Sequence, residues 1–204
     1  MADSKPVNVL KLSDGANSHL LLSATGSQLL AVDGKSVQAL DPQGKQAPRE
    51  VAQLPRPVDS IVAGSDDNVL FALVSSTAVV YRQLIGAAGW QRFCGGGTSE
   101  ETVGLENPKE LKLASPQSLL FHAPMQCVFV ADTGLNRVLR IPAGESAPAE
   151  ILRVGIARGC VDGDSNQARF DHPCGLALSL DGNSVLVCGA LSLFAASFIV
   201  LNLA

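Results

Sequence analysis

From Ser115 to Ile141, short apolar runs alternate with small polar turns: SPQSLLFH, Ala123-Pro124, CVFVA, ADTGLN and RVLRI. Strand-length apolar runs bounded by turn residues predict antiparallel strands joined as a meander. The alternation recurs on both sides. Upstream, Val7–Leu12, His19–Ser23, Gln28–Val32 and Ser36–Leu40 have strand character, and Asp33-Gly34 is a hairpin signal. Val58–Ala63, Val69–Val74 and Thr77–Leu84 form a second set. Downstream, Cys174–Leu180 and Val185–Cys188 flank the turn Asp181-Gly182-Asn183. The segment between Gly97 and Ser115 is charged and weakly helix-like. Pro108 interrupts it, which predicts a loop with at most one helical turn.

These sets repeat. The spacing from Pro116 to Pro173 carries Val128–Asp132 onto Val185–Gly189 with no gap. The spacing from Pro57 to Pro116 carries Val69–Leu73 onto Val128–Asp132, and Leu29–Asp33 is a further copy. Four blade-like units result, at roughly 7–49, 50–97, 98–150 and 151–204 of a single domain spanning 1–204. A unit of this size cannot bury both faces of its sheet alone, so its neighbours must stack on it. Four-stranded units with Gly/Asp turns predict an all-β fold of β-propeller type. A two-sheet sandwich is the alternative, and the gapless matches favour the propeller.

Two stretches resemble the NHL-repeat family. DGDSNQARFDHPCGLALSLDGNSVLVC, Asp162 to Cys188, is similar to its pattern of DG, A-x-F-x-x-P-x-G-L-A, DG and an apolar strand. FVADTGLNRVLRI, Phe129 to Ile141, is similar to the companion half. The resemblance covers roughly the second half of the chain, and the first half weakly. It implies a propeller that serves chiefly as an interaction scaffold. Two departures stand out. Leu135 occupies a place where the family often has Asn, and the fourth unit has Gly189, Leu193 and Phe194 where the third has Asp132, Asn136 and Arg137. NHL rings usually carry six blades. About four units therefore imply an incomplete ring, a fragment or truncated form of a longer propeller.

Composition narrows the chemistry. Of 204 residues, 47% are hydrophobic and 17% charged, as in a folded chain. A formal net charge of −4 and aromatic content of 4% give no strong nucleic-acid signal. The five cysteines form no C-x-x-C pair, and their odd number argues against a closed disulfide framework. They read as thiols of a reducing compartment. Met1–Leu10 carries Asp3 and Lys5 and no apolar stretch, so the expected location is cytoplasmic. Val185–Ala204 is uncharged and long enough for a membrane span. The repeat reads its first third as a strand, which favours two blade strands over an anchor.

No catalytic, cofactor-binding or metal residues are assigned. Asp162, Asp164 and Asn166 imitate the opening of a calcium loop, but Gln167 and Pro173 stand where it needs Gly and Glu. Cys94-Gly95-Gly96-Gly97 lacks the Lys and Ser/Thr of a phosphate loop and reads as a flexible inter-blade loop. The candidate polar turn is Asp132, Thr133, Asn136 and Arg137. Asx residues in turns usually serve the local backbone, and Arg137 can pair with a neighbouring carboxylate. The function expected is a non-enzymatic scaffold with a protein partner. The alternatives are a six-bladed hydrolase or lyase with an axial divalent metal, and an RNA-binding propeller. The uncharged end also predicts self-association through a C-terminal edge strand, so deleting Gly189–Ala204 should raise solubility.

Overall fold

The computed structural model describes residues 19–22, 29–33, 35–41, 46–54, 56–64, 68–99, 107–144, 152–154, 158–192 and 195–203. The expected strand at Val7–Leu12 lies outside them. The described strands form four antiparallel sheets, each built from strands consecutive in the chain. The first is β1 (His19–Leu22), β2 (Leu29–Asp33), β3 (Ser36–Leu40) and β4 (Arg49–Gln53). The second is β5 (Ser60–Ala63), β6 (Val69–Val74), β7 (Val79–Leu84) and β8 (Gln91–Gly95). The third is β9 (Pro116–His122), β10 (Cys127–Asp132), β11 (Arg137–Pro142) and β12 (Leu152–Val154). The fourth is β13 (Pro173–Leu178), β14 (Ser184–Ser192) and β15 (Ala195–Asn202).

The sheets stack face to face in chain order. Their principal contacts run only between consecutive sheets and centre on the first strands, β1 on β5, β5 on β9 and β9 on β13. Three apolar cores result, one per junction. Leu30, Val32 and Val37 meet Leu70, Ala72 and Val74 between the first and second sheets. Phe71, Leu73 and Val80 meet Val128, Val130 and Leu139 between the second and third. Phe129 and Val138 meet Val185, Val187, Ile199 and Leu201 between the third and fourth. A strand's side chains alternate between its faces, so β6 and β10 each feed two cores. This is why both are buried at every position. Truncating a phenylalanine packed this way costs about 3–5 kcal/mol.

The structure also fixes the register of the repeat. A single 3₁₀ turn follows β6 at Ser75–Thr77 and another follows β10 at Thr133–Leu135. Ala78 and Asn136 then take left-handed conformations with φ of 52° and 49°. These turns superpose Val74 on Asp132 and Leu73 on Ala131. Matching Pro57 to Pro116 instead sets the second unit one residue out of step. A slip of one would send each side chain to the wrong face. The third-to-fourth spacing needs no change.

Three outer strands that the apolar pattern left unmarked complete the sheets: β4, β8 and β12. Cys94 accordingly lies in β8 and not in a loop. Leu152–Val154 pairs with β11, so it belongs with the third unit. The lone tryptophan ties two sheets together, Trp90 Nε1 donating to the Gln53 carbonyl at 2.7 Å. The charged segment before Ser115 contains one 3₁₀ turn, Pro108–Glu110, capped when the Asn107 side chain accepts from the Lys109 amide. Pro108 opens this turn, where its missing N–H costs nothing. Gly97 packs so closely on Glu110 that a Cβ would stand 2.0 Å from the Glu110 carbonyl oxygen. Gly97 thus closes the sheet's outer edge against this turn, while Gly95 packs on Ala78 and Gly96 on Val79; this packing replaces the expected flexible loop.

Candidate interaction surface

The polar turn after β10 is built around a buried ion pair. Arg137 Nε donates to Asp132 Oδ2 at 2.8 Å, and the side chains are 2% and 0% exposed. Each partner also bonds to backbone. Asp132 Oδ1 accepts from the Ala114 amide at 2.6 Å, and Arg137 donates to the Lys112 carbonyl at 2.8 Å. Both contacts fasten the segment that leads into β9. Gly134 completes the clasp by donating to the Ala114 carbonyl at 2.7 Å. A Cβ on Gly134 would lie 2.7 Å from that same oxygen, so only glycine fits.

The other two residues reach forward to the next sheet. Thr133 Oγ1 donates to the Pro173 carbonyl at 2.6 Å, and Asn136 Oδ1 accepts from the His172 amide at 2.8 Å. The second sheet repeats the first of these links, Ser75 Oγ donating to the Pro116 carbonyl. The two prolines that mark the repeat are therefore where each sheet is tied to its predecessor. The residues before them, Ser115 and His172, have φ of 52° and 48°, which turns the chain sharply into β9 and β13. All four residues of the turn are thus engaged in bonds to the protein itself.

A second charged cluster lies on the loop before β13. Arg158 Nε and Asp171 Oδ1 are 2.8 Å apart, and His172 Nδ1 approaches the same oxygen at 2.6 Å. The Arg158 hydrogen bond holds the Asp171 carboxyl below the usual carboxylate range, with His172 adding to it and burial opposing it. A depressed carboxylate stabilises the fold above its unfolded pKa of about 4, and that contribution is lost as pH falls through the folded value. The protection factor of the Gly159 amide, which donates to the Phe170 carbonyl, should therefore fall below about pH 4. In an Asp171→Asn variant the protection factor should already be low near neutrality and change little on acidification. Identical pH profiles in the two proteins would refute the link.

The imitation calcium loop is spent on backbone. Asp164 Oδ1 accepts from the amides of Asn166 and Gln167 at 2.8 and 3.0 Å, and Asp162 Oδ1 from the Val200 amide at 2.9 Å. Gly163 adds an N–H to the Val200 carbonyl and accepts from the Asn202 amide. This loop therefore runs along the outer edge of β15, where the other sheets have a fourth strand. His122 is also structural: Nδ1 accepts from the Met125 amide at 3.2 Å, so Nε2 donates to the Gly182 carbonyl at 3.1 Å. Among the described residues, no three His, Cys, Asp or Glu side chains converge as metal ligands would. A cavity of about 150 Å³ opens between the second and third sheets, lined by Phe71, Phe121, Arg82 and Gln126.

One apolar face lacks the cover its counterparts have. Leu186 stands where Phe71 and Phe129 stand in the second and third sheets, opposite Ala177 as they stand opposite Val62 and Leu120. Phe71 and Phe129 are 1% and 0% exposed beneath the following sheet, whereas Leu186 is 37% exposed. Its register partners Ala177 and Val200 lie beside it. The uncharged run from Val185 forms β14 and β15, and no described helix is long and apolar enough to cross a membrane.

No protein-family model matches the chain, and no characterised protein matches it by sequence. Solved structures do match by fold. An auxiliary nutrient binding protein from Bacteroides ovatus aligns with a TM-score of 0.62 at 14% identity, over 87% of this chain and 47% of that one. Hydrazine synthase from Kuenenia stuttgartiensis aligns at 0.58 and 14%, over 98% and 51%. A Bacteroides thetaiotaomicron protein of unknown function aligns at 0.58 and 16%, over 87% and 43%. At these identities the likeness is one of fold. The chain spans about half the length of the structures it matches.

Proposed function

We propose that the chain is an NHL-type β-propeller arc that acts as a non-enzymatic scaffold, binding a protein partner on the face of its fourth sheet. The observation that carries this reading is the exposure of Leu186 at a position buried in the two preceding sheets. A contiguous exposed apolar patch marks an interaction site, and the end of a stack of repeats needs cover with a polar outer face. The four consecutive meanders, stacked in order and joined through their first strands, support the propeller. The NHL resemblance of Asp162–Cys188 and Phe129–Ile141 supports the type. In this reading Asp132, Thr133, Asn136 and Arg137 set the geometry between sheets and do not touch the partner. The binding role agrees with a structural neighbour that is a nutrient binding protein, although a protein ligand is this proposal's own.

A photo-cross-linking residue placed at position 186 tests the reading against one at position 84. Leu84 is also exposed and apolar but ends β7 of the second sheet, away from the uncovered face. Adducts with another protein are expected from position 186 and not from position 84. Equal adducts from both positions, or none from position 186, would overturn it.

A further inference from the structure

Cys174 and Cys188 are 14 positions apart in sequence and belong to neighbouring strands. Pro173 pairs with Gly189 and Gly175 with Cys188, which leaves Cys174 as the extra residue of a β-bulge. Two residues of β13, Cys174 and Gly175, therefore oppose the single Cys188 of β14. Gly175 brings no side chain into that space. A Cβ there would sit 3.4 Å from the Cys188 Cβ, so the two strands approach closely at this point. The Cys174 Sγ donates to the Cys188 carbonyl at 3.5 Å, and burial, with the Cys188 thiol adding to it, pushes the Cys174 thiol up. Both residues are half-exposed.

The remaining cysteines contrast with this pair. Cys94 and Cys127 are buried, and burial pushes the Cys127 thiol up to about 11. Cys160 is exposed on the loop before β13. In the second and third sheets the place of Cys188 is taken by Leu73 and Ala131, both fully buried. The dithiol thus occurs only in the sheet whose face is uncovered, beside Leu186.

We propose that Cys174 and Cys188 form a vicinal dithiol site that reacts with small disulfides and closes reversibly into a cross-strand disulfide. With glutathione disulfide as oxidant, the thiolate of one cysteine attacks a glutathione sulfur. A mixed disulfide forms and one glutathione thiolate leaves. The second cysteine, as thiolate, attacks the protein sulfur of that mixed disulfide and expels the second glutathione. The protein loses two electrons and two protons, which the two glutathione thiols carry away. The second step is intramolecular, because the bulge sets the resolving cysteine on the facing strand. The site stands on its own geometry, whether or not the face beside it binds a protein.

The test equilibrates the full chain in glutathione buffers of increasing oxidised fraction, then quenches free thiols and maps peptides without reduction. The expected result is a linked peptide pair joining Cys174 to Cys188, short of two hydrogens and restored by a reducing buffer. In Cys174→Ser and Cys188→Ser variants the link should vanish, and the remaining cysteine should hold glutathione. Phenylarsine oxide, which needs two close thiols, should bind the wild-type chain and neither variant. The proposal is overturned if both thiols stay free across the series. It is also overturned if glutathione accumulates on them without ring closure, or if either links instead to Cys160.

Discussion

Replacing Asp132 with Val should cost about 3–5 kcal/mol of stability, the usual consequence of stranding one partner of a buried ion pair. Arg137 would keep its charge at 2% exposure without the Asp132 carboxylate that its Nε now meets. The chain contains its own control. In the second sheet, Val74 and Val79 pair across β6 and β7 as Asp132 and Arg137 pair across β10 and β11. An apolar pair is therefore compatible with this turn. The double variant Asp132→Val, Arg137→Val should recover much of the single-variant loss, because it removes the stranded charge. Recovery should stop short of complete, since the Ala114 amide and the Lys112 carbonyl lose their side-chain partners. Denaturant unfolding of the wild type, both single variants and the double variant decides this. A double variant no more stable than Asp132→Val would show that the lost backbone bonds, and not the stranded charge, set the cost.

Removing Gly189–Ala204 is the second large effect, and its expected sign differs from the one suggested by an uncharged edge strand. Ile199 and Leu201 are 2% and 1% exposed and lie in the core shared with the third sheet. Losing two such side chains costs about 2–5 kcal/mol each. That is a large part of the roughly 5–15 kcal/mol holding a typical domain together. The truncation also releases Asp162 and Gly163, whose bonds end on Val200 and Asn202. Hydrogen exchange should therefore show amide protection lost through β13 and β14 and retained in β6 and β7. Solubility should fall, because Phe129 and Val138 lose their cover. A truncated chain with wild-type protection in β14 would contradict this assignment.

The central strands were legible in the sequence because they are buried on both faces and read as continuous apolar runs, VLFALV and CVFVAD. The outer strands were not. REVAQ and QRFCG lie at sheet edges with their first residues in water, so polar side chains dilute any alternation. Leu152–Val154 is too short to show a period. Spacing between prolines placed the second unit one residue off, because proline marks where a sheet is entered and not how its strands align. The turn residues Ser75 and Thr133, which contact the next sheet, hold that alignment. Of the polar turn, the sequence suggested bonds within the turn for Asp132 and Thr133 and a carboxylate for Arg137; the carboxylate is Asp132, which otherwise reaches back 18 positions to the Ala114 amide. The forward links from Thr133 and Asn136 join residues far apart in the chain and left no local mark. The dithiol could have been found by counting back from Asp181-Gly182, since a hairpin there brings residue 175 opposite residue 188.

Each sheet packs chiefly on the sheets before and after it in the chain. Stability in such a stack is close to a sum of terms for individual units and for the junctions between them, as in a one-dimensional lattice. An interior unit is held by two junctions and a terminal unit by one. Heating should accordingly fray the stack from its ends, and melting curves read from probes in different sheets should separate instead of coinciding. For the same reason, a unit grafted onto the fourth sheet would add one junction term and leave the earlier ones as they are.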